Sequence, residues 1–193
     1  MDSADVRRAL DESLTLLREP ATTPAAWSAP AGVVEWTCLA TAEHIAHDLT
    51  AYATQLAARA DSAYLPLDLV VRPGTDPRTV LRIVASCARL LILELDAAGP
   101  DATAWHWGPT DRTGFAALGV NEILVHTWDI AQGLGLSWTP PPDLAAAVLT
   151  RLFPGIPPSV DPDAGRALLW ATGRIALGHH PRRDSWTVQA ARP

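Results

Sequence analysis

Four long stretches of this sequence repeat apolar side chains every three or four residues, and that period admits helices and little else. Asp5 to Arg18 carries Val6, Leu10, Leu14 and Leu17 on one face, and Pro20 and Pro24 close it. After a Pro-, Ala- and Ser-rich connection over 22–34, Trp36-Thr37 leads into a helix reaching about Ala60. Its stripe is Leu39, Ala42, Ile45, Ala46, Leu49, Tyr52, Ala53 and Leu56. Residues 61–76 hold prolines and a glycine and are too long for a tight helical hairpin. They suit a crossover between non-adjacent or parallel helices. Asp76 and Pro77 read as N-cap and first helical position of a third helix, which runs to about Ala98 and stops at Gly99-Pro100.

The stretch 101–111, with Trp105-His106-Trp107-Gly108-Pro109, reads as a loop. A fourth helix covers about Gly114 to Gly133. Beyond Pro140-Pro141-Pro142, shorter helices are expected at about 143–152 and 163–177. An irregular basic tail follows from His179, in which Trp186-Thr187-Val188-Gln189 pairs as a short strand or packs back as an anchor. No β-hairpin, repeat or linker stands out. The expectation is an all-α fold: four long helices, one long crossover and extra C-terminal helices, with residues 1–193 forming one domain.

Composition narrows the function. A chain that is 48% hydrophobic and 19% charged is globular. Its net charge of -6 argues against nucleic acid and anionic membrane as partners, which call for a basic surface. No apolar run approaches the ~20 residues of a membrane span, and the N-terminus has no signal-peptide core, so a cytoplasmic protein is expected. Cys38 and Cys87 fall within predicted helices and read as small buried hydrophobes, not as a disulfide framework. All 15 basic residues are Arg, which excludes Schiff-base and lysine-base chemistry and points to a high-GC genome.

One constellation could carry chemistry. On the fourth helix, Glu122 and His126 stand at i, i+4 and Asp129 three residues on, all on one face. A Glu and a His so placed can share a divalent metal, and a site with an open position needs a third ligand. Glu43-His44-Ile45-Ala46-His47-Asp48 on the second helix offers it, and helical angle alone does not choose between His44 and His47. The plain alternative is a surface Glu–His hydrogen bond.

Taken in order, Trp36-Thr37, Glu43-His44-Ile45-Ala46-His47-Asp48-Leu49, Gly114-Phe115-Ala116-Ala117 and Asn121-Glu122-Ile123-Leu124-Val125-His126-Thr127-Trp128-Asp129 resemble the mycothiol-dependent maleylpyruvate isomerase N-terminal domain, within the DinB-like superfamily. Arg151-Leu152-Phe153-Pro154 and Leu168-Leu169-Trp170-Ala171-Thr172-Gly173-Arg174 resemble the later segments of short actinobacterial members. The resemblance implies a DinB-like four-helix bundle with a long crossover. It implies a divalent metal, usually zinc, held by His44, Glu122 and His126. It also implies mycothiol as the thiol cosubstrate. The full isomerase has a second, C-terminal domain, for which these 193 residues leave no room. Thiol-dependent isomerisation or S-transfer on a small electrophilic substrate is therefore expected in preference to the maleylpyruvate reaction itself.

Within that expectation, Asp129 fixes the tautomer of a ligand histidine or is merely solvated. His106 acts at the pocket mouth as an acid–base group or thiol contact, or is a wedged loop residue. Arg151 and Arg174 clamp carboxylates of thiol or substrate, or else tie the added helices to the bundle. Trp105, Trp107, Trp128 and Trp138 read as core and loop anchors. Two other functions share the same ligands: a metal-dependent hydrolase, and a non-catalytic bundle that binds a metal or small ligand. A homodimer through a helix face stays open.

Overall fold

The computed structural model describes residues 1–157 and 160–191. Its elements are α1 (Ser3–Leu17), α2 (Cys38–Ala58), α3 (Pro77–Ala97), β1 (Thr103–Trp105), β2 (Pro109–Asp111), α4 (Arg112–Gly133), α5 (Pro142–Leu152) and α6 (Ala164–Ala171), with two 3-10 turns at Pro20–Thr22 and Pro24–Ser28. The fold is all-α and DinB-like, as the resemblance implied.

Side-chain caps set the helix starts. Asp2 accepts from the backbone N–H of Ala4 and Asp5 while Asp5 answers its backbone, a capping box that starts α1 slightly earlier than the apolar pattern suggests. Thr37, Asp76 and Asp111 cap α2, α3 and α4 through the N–H groups of Ala40, Thr79 and Gly114. Each cap satisfies donors that a helix cannot satisfy itself.

Around the bundle the helices follow the order α1, α3, α2, α4. Their directions follow from the contacts. Arg59 and Glu94, at the C-terminal ends of α2 and α3, lie 3.8 Å apart, so those helices are parallel. The Ser13 and Thr127 hydroxyls hydrogen-bond at 2.6 Å near the ends of α1 and α4, which are parallel too. Cys38 at the start of α2 meets the Ile130 carbonyl near the end of α4, so this pair is antiparallel. The topology is up, down, down, up. A parallel α2–α3 pair requires the chain to travel back along a whole helix, about 30 Å for 21 residues. The connection over 59–76 makes that crossover.

The core fills from all four helices. Leu17, Ile45, Leu49, Leu56, Leu91, Phe115, Leu118, Ile123 and Leu124 are fully buried, as is Trp27 from the connection before α2. Gly119 lets α4 approach closely, since a Cβ there would stand 2.6 Å from a Leu91 methyl.

Two expectations are corrected. The stretch 101–111 contains a hairpin, with Thr103, Ala104 and Trp105 paired to Asp111, Thr110 and Pro109. Its three-residue strands are too short to show an alternation. Packing supports them: Ala104 and Thr110 are buried, and the Trp105 N–H donates to the Ala60 carbonyl at 2.7 Å. The helix expected over 163–177 ends at Ala171. Gly173, at φ +72, closes a Schellman motif in which its N–H bonds Trp170 and the Arg174 N–H bonds Leu169 at 2.7 Å. The tail makes no strand with Trp186. That ring packs on Phe153 and the Arg174 guanidinium, and the neighbouring Gln189 N–H bonds the Leu152 carbonyl.

Candidate metal centre

The seam between α2 and α4 is polar where the rest of the bundle is apolar. His44 projects from α2, and Glu122 and His126 from successive turns of α4. One donor atom from each falls within 4.8 Å of the others. His126 Nε2 is 3.2 Å from Glu122 Oε2, and His44 Nε2 is 3.6 Å from the same oxygen. The two imidazoles meet edge to face at 4.9 Å, and the Trp36 ring lies tilted against His44 at 4.6 Å.

His126 is fixed from behind. Its Nδ1 lies 3.0 Å from Asp129 Oδ2, and Asp129 is fully buried. Arg174 approaches Asp129 with two nitrogens, Nη2 at 2.8 Å and Nε at 3.3 Å. The Schellman turn after α6 therefore delivers a cation to the rear of the site.

Charge is finely balanced here. Burial alone would raise the Glu122 carboxyl, but hydrogen bonds from His126 and His44 outweigh it and hold the group well below the usual range. Burial alone would lower His126, yet its bonds to Asp129 and Glu122 lift it to about 9. Asp48 stands 3.5 Å from His44 Nε2, and its carboxyl is pushed up to about 6 by burial and by Glu122. The Tyr52 hydroxyl is 3.4 Å from Asp48 and 3.5 Å from Glu122. Burial and those carboxylates push that phenol well above its ordinary value.

The structure thus brings together His44, Glu122, His126 and Asp129. His47 stays apart from them: its Nδ1 accepts from the Leu69 N–H at 3.3 Å and pins the crossover. His106 sits at the hairpin tip beside Tyr52 and Tyr64. Arg151 bridges to Asp111 at 3.0 Å and to the Ala190 carbonyl, and Arg174 is committed to Asp129. These contacts tie α5, the C-terminal tail and the turn after α6 to the bundle. Trp128 is buried, but Trp107 is 75% exposed and anchors nothing. The sequence assigns Asp48 no role and puts Tyr52 in the apolar stripe of α2, yet both stand at the site. The signal for Asp48 was present, since it follows His44 by the same i, i+4 step that joins Glu122 to His126.

Two imidazoles and a carboxylate are the donor set of a three-ligand divalent site with further positions left for exogenous ligands. A ligand histidine held on its far nitrogen by a carboxylate is what such a site needs. The residues fit a metal.

The sequence model of the mycothiol maleylpyruvate isomerase N-terminal domain matches residues 6–131. The chain belongs to this family. No curated protein and no solved structure matches it. The matched span runs from α1 through almost all of α4 and contains His44, Glu122, His126 and Asp129. Membership in the mycothiol maleylpyruvate isomerase N-terminal domain family links the chain to mycothiol-related isomerase chemistry. Arg151 and Arg174 lie outside the matched span. No helix among the described residues is long and apolar enough to cross a membrane.

Proposed function

We propose that His44, Glu122 and His126 hold one divalent cation, with zinc the leading candidate. We further propose that the protein uses mycothiol in the cytoplasm to isomerise, or to conjugate, a small electrophilic substrate. Residues 1–193 act as one unit in this reading, α5 and α6 securing Arg174 behind the site. The observation that carries it is the convergence of three donor atoms from two helices within 4.8 Å.

When bound, the metal would lower the pKa of a thiol placed in an open position. The chain's own groups do the rest. Asp129 accepts a hydrogen bond from His126 Nδ1–H, which leaves Nε2 as the ligating nitrogen. Arg174 holds Asp129 in place. Asp48, with a carboxyl pushed up to about 6, can take the thiol proton on its carboxylate and return it near neutral pH. The sulfur then adds to an alkene carbon conjugated to a carbonyl. The C–S bond forms as the π pair moves toward the carbonyl oxygen. Rotation and expulsion of sulfur give the isomer, whereas proton return to the adjacent carbon gives the S-conjugate.

Purified protein incubated with mycothiol and cis-configured unsaturated carbonyl compounds tests this by mass spectrometry. Isomerised or S-conjugated product, lost in His126→Ala, is expected. Metal-dependent turnover that needs no thiol would favour a hydrolase instead.

A further inference from the structure

A cleft of about 290 Å³ opens beside the trio, between α2, the crossover and the hairpin tip. Asp48 and Tyr52 belong to both, so the cleft leads to the site. Its lining carries two carboxylates, Asp48 and Asp68, two imidazoles, His47 and His106, and no arginine. Arg151 and Arg174 are spent on Asp111 and Asp129. Arg18, Arg78, Arg82 and Arg89 line a separate groove between α1 and α3.

His106 supplies a second, independent observation. It lines the cleft, is 94% buried by its 6% exposure, and its Nδ1 has no hydrogen-bond partner. A buried, unpaired imidazole nitrogen is costly unless something meets it. Burial pushes this histidine below its ordinary value, so it is neutral at pH 7 and offers one donor and one acceptor. Aromatic rings surround it: Tyr52 at 5.7 Å and Tyr64 at 5.8 Å. The next residue, Trp107, is held at φ +55 with its ring exposed and 6.1 Å from Tyr64.

Resting on the function proposed above, we infer that this cleft admits an uncharged or cationic electrophile with a flat unsaturated body and rejects a dicarboxylate. Asp48 and Asp68 repel anions and attract an amine or amide N–H. Tyr64, on the cleft wall, faces the flat body of the substrate. His106 hydrogen-bonds its carbonyl or amide group. Asp68, exposed at the outer end, sets the charge preference.

The test compares maleamide, an aminoethyl maleamide and maleate, each with zinc-loaded protein and mycothiol. Rates are corrected for uncatalysed thiol addition. The inference expects kcat/KM for the first two to exceed that for maleate by about tenfold or more, and Asp68→Arg to shrink that ratio. Equal or better use of maleate by the wild type, or a ratio unmoved by Asp68→Arg, overturns it. If no compound is turned over, the function proposed above fails. Calorimetry on the metal-free protein then decides this inference alone. Succinamide must bind more tightly than succinate, and His106→Phe must weaken it; the reverse preference overturns the inference.

Discussion

The α2–α4 seam and the interior of α1 and α3 belong to one bundle but are filled in opposite ways. Between α2 and α4, two histidines, three acids and a tyrosine crowd together, several of them deeply buried. The α1 and α3 interior is Val6, Leu10, Leu17, Val80, Val84 and Leu91, all buried and apolar. The groove at its edge is lined by Arg18, Arg78, Arg82 and Arg89, which make no ion pair among the described residues. Burying charges in the first region costs desolvation that pairing only partly recovers. Burying leucines in the second is favourable at every atom. The difference indicates that stability resides on one side of the molecule and chemistry on the other.

The sharpest break in that division is Asp129. It lies in the polar seam yet holds Arg174, so Asp129→Ala leaves a guanidinium buried without its counterion. Loss of about 3–5 kcal/mol is expected in denaturant unfolding. A loss below about 1 kcal/mol would mean that Arg174 finds water or another partner. Next comes Leu91→Ala, which opens a cavity against Gly119 and should cost about 2–5 kcal/mol. His44→Ala in the metal-free protein should cost under about 1 kcal/mol, because the side chain is partly exposed and its contacts to Asp48 and Glu122 are long, 3.5 and 3.6 Å. Comparable losses for the two would erase the contrast between the regions.

Acidity sharpens it further. His126 is raised to about 9 in the folded, metal-free protein. The stability it contributes is therefore complete below the ordinary histidine value, about 6.5, and is lost as pH rises through about 9. Ligation requires the neutral imidazole, so zinc stabilises the protein more as pH rises and its uptake releases protons. His106 has the opposite sign. Its lowered value gives a contribution present above about 6.5 and lost as pH falls below it, and His106→Phe should flatten that acid limb in urea titrations. The smallest effect belongs to the arginine rim: Arg82→Gln should change stability by less than about 0.5 kcal/mol, measured as a shift in Tm.

The helices were legible because burial writes a 3.6-residue period into the chain, and the crossover because 61–76 is too long for a hairpin. The hairpin at Thr103–Asp111 was not, since three-residue strands leave no period and its stability comes from packing on α2. The end of α6 could have been read from Gly173, a left-handed stop inside an otherwise helical pattern. At the site, Glu122 and His126 were visible as one turn of one helix. The choice of His44 over His47 came from family resemblance, because it depends on how α2 rotates against α4. Asp48 was legible from its i, i+4 step after His44 once that histidine was chosen, whereas Arg174 could not be joined to Asp129 across 45 residues without the turn that carries it back.

Metal content is the most direct test of the central claim. Purified wild-type protein dialysed against limiting zinc should retain one ion per chain by elemental analysis. His44→Ala, Glu122→Gln and His126→Ala should each lose it while keeping the wild-type helical circular dichroism. Full zinc retention by all three variants, or none in the wild type under the same dialysis, would contradict the account.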